Sequence, residues 1–434
     1  MKELPFVSVI IPTRNRAASV RRALEALAVQ TYPAERFAVT VVADGCTDAT
    51  LEVLRQFHAP FEVQTIAQPQ AGAAAARNAG AASARGTLLV FLDDDVEADP
   101  QLIAAHVDAH SRRSGVVIGH LSPVLAAQRG FFRNALRRWW EAKFDALAHP
   151  GHRFHAFDLL SGNFSLAAEL FARCGGFDPS LRCHEDYELG IRLVHHGIRF
   201  TYAPEATGRH HELTDLRGAL RRKFEEGQAD VRIGRGHPEI RPALPMTRLL
   251  PRRAGGRRVW FRLAFARSSG GDTAAAAAAR LLQALERLRL RSRWRRLLDD
   301  LLTYWYWRGM AQELPTASAA AEFIDGAVAP VSELDLDLRG GMAEAQGILD
   351  ETRPAAVRLR FGTQGIAHLL PVPGAEPWRG EHLVLILGMH LTRPLLRAMA
   401  QDGSITPPFN VKRLLDLTRA PARYDLREYG IEPG

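Results

Sequence analysis

"LLVFLDDDVEADP", residues 88–100, begins as an apolar run with the character of a buried strand and breaks into three consecutive carboxylates, Asp93, Asp94 and Asp95. Full ionisation of three adjacent acids is unfavourable, so this strand end needs compensating positive charge. The reading of the first half of the chain follows from what surrounds it.

Upstream, "FVSVII" (6–11), "FAVTVV" (37–42) and "FEVQTI" (61–66) read as three more β-rich runs, with "TLLVFL" (87–92) as the fourth. Pro12 is read as a breaker after the first of them, and Val20, Leu24 and Leu27 then recur at helical spacing. Asp44-Gly45 forms a turn, and "TDATLEVLRQF" follows as a helix capped by Thr47 or Asp48. Strands alternating with helices predict an α/β domain: a mostly parallel, Rossmann-like sheet with helices on both faces. In such sheets ligands bind beyond the carboxyl ends of the strands, where Pro12 to Asn15, Asp44 and Asp93 to Asp95 all fall. "GAAAARNAGAASARG" predicts a helix of small residues that approaches the sheet closely and aims Arg77 at the same edge.

At 434 residues, with 47% hydrophobic and 24% charged residues, the chain is long enough for two or three ordinary globular domains. The expected division is 1–215 for the sheet domain, 216–324 for a basic helical region, and 325–434 for a small C-terminal α+β unit of unassigned role. The alternating "LDLDL" and "VRLRF" carry that last expectation. No window approaches about 18 apolar residues, "HLVLILGMHL" being the best candidate, so no membrane span is expected. The three cysteines, Cys46, Cys174 and Cys183, suggest neither a disulfide framework nor a zinc site, and a reducing cytoplasm suits them. A net charge of +8 favours phosphate-bearing partners. The Arg-rich middle could lie peripherally on the inner face of a membrane, although solvated helix faces are the default for such runs.

The chemistry expected at the triple aspartate is a divalent-cation site. Mg²⁺ or Mn²⁺ takes one or two carboxylates and completes its shell with water and substrate phosphates. In an extended segment Asp93 and Asp95 share a side and Asp94 opposes them. A solvated loop is the plainer reading of the same residues.

The spacing has company. "VSVIIPTRN", "VVADGCTD", "ARNAG", "FLDDD", "SGNFSL" and "GGFD" followed by "HEDYELGIRL" occur in this order. Together they resemble the family 2 glycosyltransferases of the GT-A fold, over roughly residues 5–212. A looser likeness to bacterial polysaccharide-type members extends through "EEGQADVRIGRGHPE" and "YWYWRG".

The resemblance implies an inverting, metal-dependent glycosyltransferase (hexosyltransferase type). It would move a sugar from a nucleotide-diphosphate donor, with UDP-sugars first, to an acceptor hydroxyl in polysaccharide or glycolipid synthesis. Pro12, Thr13 and Arg14 would line the base and ribose pocket. Asp44 would hold the base, with Ala43 standing where relatives carry a first acid. Arg77 would lie near the diphosphate. Asp93 would be the ribose or metal-side acid, Asp94 a further donor-binding residue and Asp95 the direct metal ligand, with His210 also serving the metal. Asn163 would lie near the acceptor and donor sugar, as would Asp178, and Asp186 would be the general base with Glu185 as orienting neighbour or alternative.

The expected partners are a nucleotide-sugar donor and a glycan or lipid-linked acceptor; no nucleic acid is expected. Trp139, Trp140, Phe131, Phe132 and Phe144 suggest an acceptor- or lipid-facing wall, or a core helix face. Two rival readings are a non-catalytic scaffold of this fold that binds polyanions or a membrane surface, and a sugar-phosphate nucleotidyltransferase. The latter would place a Gly-rich loop after the first strand, where "IPTRNRAAS" has no glycine.

Overall fold

The computed structural model describes residues 4–125, 130–249, 256–266, 269–326, 332–405 and 431–433. They form two compact units, one comprising 1–148 and 156–327, the other 149–155 and 328–434.

In the first unit, β1 (Val7–Thr13), α1 (Ala17–Leu27), β2 (Phe37–Asp44), α2 (Thr50–Gln56), β3 (Glu62–Gln68), α3 (Ala73–Ala82) and β4 (Leu88–Leu92) alternate as their hydrophobic periods dictate. Then come β5 (Val96–Ala98), α4 (Leu102–Arg112), β6 (Val116–Leu125), α5 (Phe131–Ala148), β7 (Asn163–Ala167), α6 (Ala168–Arg173), α7 (Glu185–His195) and β8 (Phe200–Glu212). The helices α8 (Leu216–Gly236), α9 (Pro245–Leu249), α10 (Gly256–Phe265), α11 (Gly270–Arg287), α12 (Arg291–Glu313) and α13 (Ala317–Asp325) complete it.

The eight strands make one sheet in the order β3-β2-β1-β4-β7-β6-β8-β5. The β3-β2-β1-β4 half is parallel, as is β6 with β8. β7 runs antiparallel to both its neighbours, and β5 pairs antiparallel with β8. The sheet is therefore the mixed, mostly parallel sheet of a GT-A-like fold. Its centre is largely apolar: Val7, Val9, Ile10 and Ile11 of β1 and Val90, Phe91 and Leu92 of β4 are excluded from solvent. Each such side chain contributes about 1.5–3 kcal/mol of burial free energy. Pro12 does not break β1, which pairs with β2 through Thr13. α2 begins only at Thr50, whose N–H and hydroxyl both donate to Asp48. The small residues of α3 do bring it close to the sheet, since a Cβ added at Gly80 would meet Ile10 Cγ2 at 2.6 Å.

The sequence separates a region 216–324 from the sheet domain, whereas the structure folds both into one unit. The reason is a helix crossing. A Cβ on Gly227 of α8 would lie 2.0 Å from the Tyr306 carbonyl oxygen, and one on Gly309 of α12 would lie 1.9 Å from that of Phe224. Two glycines thus let the backbones of α8 and α12 touch, and Asp230 of α8 reaches back to the loop before α7. Arg232 and Arg235 clasp Glu313, and Arg308 pairs with Asp272, so part of the basic run is spent on internal ion pairs.

The second unit consists of β9 (Glu333–Asp337), α14 (Met342–Thr352), β10 (Ala356–Phe361), β11 (Gln364–Leu369), α15 (Gly380–Ile386), α16 (Thr392–Gln401) and β12 (Ile431–Pro433). Its sheet, β12-β11-β10-β9, is antiparallel except for the β9-β10 pair. Segment 149–155 is part of it: Arg153 Nε donates to the Glu376 carbonyl and its guanidinium stacks 4.1 Å from the Trp378 ring. Here the structure corrects the hydropathy reading. "HLVLILGMHL" continues through a π turn, and Gly380–Gln401 has the length and apolar composition of a membrane span. Its Leu383, Ile386, Leu387 and Leu391 are buried among the unit's own core residues, while Val384 and Met389 are exposed.

Candidate active site

The segments just past the carboxyl ends of β1 and β4 and the start of α7 converge on a polar cavity of about 450 Å³. Its lining includes Arg16, Asp93, Asp95, Ser161, Glu185 and Asp186, with Glu212 to Asp215 and Arg221, Arg222 and Glu225 across from them in sequence.

Two arginines answer the charge of the triple aspartate. Arg16 Nη1 lies 2.9 Å from Asp94 Oδ1 and 2.6 Å from Asp95 Oδ2. Arg77 bridges Asp93 at 2.6 Å and Glu185 at 2.7 Å. The three acids are not extended: the Val96 N–H donates to the Asp93 carbonyl, closing a turn. That turn replaces the expected alternation, so Asp94 and Asp95 share one cation while Asp93 faces another. Asp94 is buried and accepts from the Thr13 hydroxyl at 2.6 Å.

Burial pushes Asp94 up to about 6, against the pull of Arg16. Its ordinary value is 3.8, so between those two values the folded chain holds more proton than the unfolded one. This group's contribution to stability therefore falls as pH rises from about 4 to 6. Asp94→Asn is expected to exceed wild type in stability at pH 7 by no more than about 3 kcal/mol, with the difference gone at pH 4. Urea unfolding at the two pH values measures it, and a pH-independent difference would show that Asp94 stays ionised in the fold throughout.

Arg77 is only 3% exposed. Burial opposes its charge, but Asp93 and Glu185 outweigh that and hold its pKa above the usual value. Nη1 and Nη2 of its guanidinium each meet a protein carboxylate, which ties the strand end to α7, while the side chain also lines the cavity and its Nε has no hydrogen-bond partner among the described residues. Glu185 is likewise engaged, its pKa pushed up by burial and by Asp186. Asp186 is freer. Its Oδ2 accepts from the Ser161 N–H at 3.1 Å and its Oδ1 from the Tyr187 N–H at 2.9 Å, which orients the carboxylate on the cavity wall. Each oxygen retains a second lone pair.

The start of α7 is held from behind. His184 has a left-handed backbone, φ 59°, a costly conformation for a non-glycine residue. Its Nδ1 lies 2.7 Å from Asp230, whose other oxygen accepts from the Tyr306 hydroxyl at 2.6 Å. Burial opposes a charge on His184, but Asp230 raises its pKa overall. Neither Asp230 nor Arg16 figures in the sequence reading. Arg16 had a detectable signal, since a basic residue at the end of a strand beside "FLDDD" is what three acids require; Asp230 lies 46 residues from His184 and had none.

Other expected site residues are placed differently. Asn163 is a correction: 1% exposed, it donates to the carbonyls of His120 and Ala206 and contacts His106 Nε2 through Oδ1. Its amide fills the register shift between β6 and β8 and has nothing left for a sugar. Asp44 is held within the fold, accepting from Gln68 and the Ala71 N–H on one oxygen and from the Gly72 N–H on the other, and does not line the cavity. Arg14 donates to Gln70. Pro12 is paired within β1 opposite Val42, one residue before the strand ends. Asp178 accepts from the Ser180 N–H and does not line the cavity. On α5, Phe144 is buried beside Tyr202 and His120, Trp140 packs edge-on to His210 at 4.9 Å, and Trp139 is half exposed.

Residues 8–171 match the model of glycosyl transferase family 2. The chain carries a family 2 glycosyltransferase domain. Validoxylamine A glucosyltransferase of Streptomyces hygroscopicus subsp. jinggangensis is 34% identical over 273 residues, which are 56% of this chain and 63% of that protein. The protein of the same name from S. hygroscopicus subsp. limoneus is also 34% identical, over 59% of its length. The chain thus spans about three fifths of these relatives. Among solved structures, the mannosyltransferase PcManGT from Pyrobaculum calidifontis, in complex with GDP-Man and Mn²⁺, is 23% identical with a TM-score of 0.45, covering 70% of this chain and 86% of that one.

The family 2 domain's fitness for a divalent cation can be tested on its own atoms. Asp95 Oδ1 is buried without a well-formed hydrogen bond, and His210 Nε2 lies 3.3 Å from it. His210 and Arg16 outweigh burial and lower the Asp95 pKa; Asp95 in turn raises that of His210. A carboxylate oxygen beside an imidazole nitrogen suits Mn²⁺, with substrate phosphates completing the shell. Asp93 does not close with these two into a three-ligand group among the described residues; its Oδ1 accepts from Arg77 Nη2.

Proposed function

We propose that this chain is an inverting glycosyltransferase that moves a hexose from a nucleotide-diphosphate sugar to an acceptor hydroxyl. The observation that carries it is Asp186: a carboxylate oriented by two backbone N–H groups, on the wall of a cavity that also holds Asp93, Asp95 and Arg16. The name of the Streptomyces relatives, glucosyltransferases, supports a hexose.

In the reaction, Asp186 accepts the acceptor's hydroxyl proton as that oxygen forms a bond to the anomeric carbon. The bond from this carbon to the diphosphate breaks on the opposite face, and its electron pair leaves with the diphosphate. A single displacement inverts the configuration. Arg16, whose side chain is 44% exposed at the cavity, supplies fixed positive charge on the side of the developing anion. Asp95 and His210 would hold the divalent cation, whose charge stabilises a departing diphosphate. Because the Asp44 carboxylate is committed within the fold, base recognition falls to neighbouring groups of the β1 and β2 loops; UDP-sugars are the proposed donors, with glycan or lipid-linked acceptors. Incubation with UDP-, GDP- and dTDP-sugars tests the reading: one class should release its nucleoside diphosphate, with that turnover dependent on Asp186. Absence of turnover with every donor and acceptor class would remove it.

A further inference from the structure

At the far end of α7 from Asp186, three side chains meet that the proposed reaction does not use. His195 closes α7, His237 follows the last residue of α8, and Glu239 belongs to the 3-10 turn Pro238–Ala243. One ligating atom from each lies within 4.8 Å of the other two. His195 Nε2 is 3.3 Å from Glu239 Oε1, and His237 Nδ1 is 3.7 Å from that same oxygen.

These separations match a tetrahedral ion. Zinc bonds of about 2.0–2.1 Å place neighbouring ligand atoms roughly 3.3–3.4 Å apart, so one edge of the tetrahedron is already formed and a second nearly so. The outer shell supplies an independent sign. His237 Nε2 lies 3.1 Å from Glu188 Oε1, a buried carboxylate gripped by Arg192 at 2.5 Å and 2.8 Å. An imidazole that donates one N–H to a fixed carboxylate presents the lone pair of its other nitrogen, the arrangement that orients metal-bound histidines. His195 and Glu239, with side chains 45% and 40% exposed, leave an approach for the ion and room for a water in the fourth position.

We propose that His195, His237 and Glu239 bind a zinc-class divalent ion, Zn²⁺ or Co²⁺, which staples the C-terminal end of α7 to the segment after α8. Two nitrogens and one carboxylate oxygen suit that class better than Mg²⁺ or Ca²⁺. The site is distinct from the cation expected beside Asp95 and does not depend on the proposed reaction. Its structural effect is to fix the helix that carries Glu185 and Asp186 at its other end.

The test uses the untagged full chain, stripped with chelator and titrated with Co²⁺ while visible absorption is followed, then back-titrated with Zn²⁺. One Co²⁺ per chain with the intense bands of a four-coordinate ion is expected, displaced by Zn²⁺. His195→Ala and His237→Ala should each abolish the bands, and Asp95→Asn should keep them. Glu188→Gln should weaken binding about 10–100-fold. Both His195 and Glu239 are on the surface, so His195→Ala and Glu239→Gln should retain the wild-type circular dichroism spectrum. Absence of four-coordinate bands, bands that persist in His195→Ala, or bands lost only in Asp95→Asn would overturn the assignment.

Discussion

Asp186→Asn is expected to bind the sugar donor as wild type does and to turn it over about 10²–10⁴-fold more slowly, the usual worth of a positioned general base. The substitution preserves shape but leaves one acceptor oxygen, so one of the two backbone N–H groups, of Ser161 or Tyr187, loses its acceptor while the other still orients the side chain. What disappears is the ability to take a proton while the acceptor oxygen attacks. The neighbouring acid provides the control. Glu185→Gln removes charge from a group that faces Arg77, and its main effect should be on stability, because Arg77 then keeps only Asp93 as an ionised partner. If Glu185→Gln lost turnover while remaining stable, and Asp186→Asn kept most of it, the roles of the two acids would be exchanged. Steady-state kinetics with urea unfolding of both variants makes the distinction.

Arg77→Met should cost about 3–5 kcal/mol of folding stability, since removing one partner of a buried ion pair strands the charge left behind. Here two acids are stranded, Glu185 almost wholly buried and Asp93 partly open to the cavity. Arg77→Lys should fall between Met and wild type, because an ammonium lacks the two separate N–H arms that span Asp93 and Glu185. The outcome decides between two roles for this residue. A contact to the donor diphosphate, as the family resemblance implies, would show as weakened donor binding with near-normal stability. The observed tie predicts the reverse order of effects, and a loss below about 1 kcal/mol would contradict it.

Much of the first unit can be read in the chain because its signals are local. β-branched runs mark β1 to β4, and the small residues of "GAAAARNAGAASARG" mark a helix that must lie close to the sheet. Of the motif residues at the strand ends, Asp93 and Asp95 lie on the cavity wall together with Glu185 and Asp186 at the start of α7, while Pro12, Thr13, Arg14 and Asp44 do not line it. Local signals end where partners are remote. The turn through Asp94 and Asp95 depends on one backbone hydrogen bond, and it redistributes three acids between Arg16 and Arg77. Asn163 sits in a plausible motif, yet its amide is claimed by strands β6 and β8. Gly227 and Gly309 give no local signal of a partner; only their crossing shows why α8 and α12 belong with the sheet. The charge of the middle region had a similar ambiguity, and ion pairs such as those of Arg232 and Arg235 with Glu313 resolve it locally.

The central claim is that the strand-end acids hold a nucleotide sugar together with a divalent cation. Calorimetric titration of the purified chain with UDP-, GDP- and dTDP-sugars, in Mn²⁺ and in chelator, beside Asp95→Ala, tests it most directly. One nucleotide class should bind, with a requirement for Mn²⁺, and the variant should lose that binding. Binding that is equally strong in chelator, or unchanged in Asp95→Ala, would contradict the assignment of Asp95. No binding of any donor by the folded chain would leave the three aspartates as an acid cluster neutralised by Arg16 and Arg77 alone.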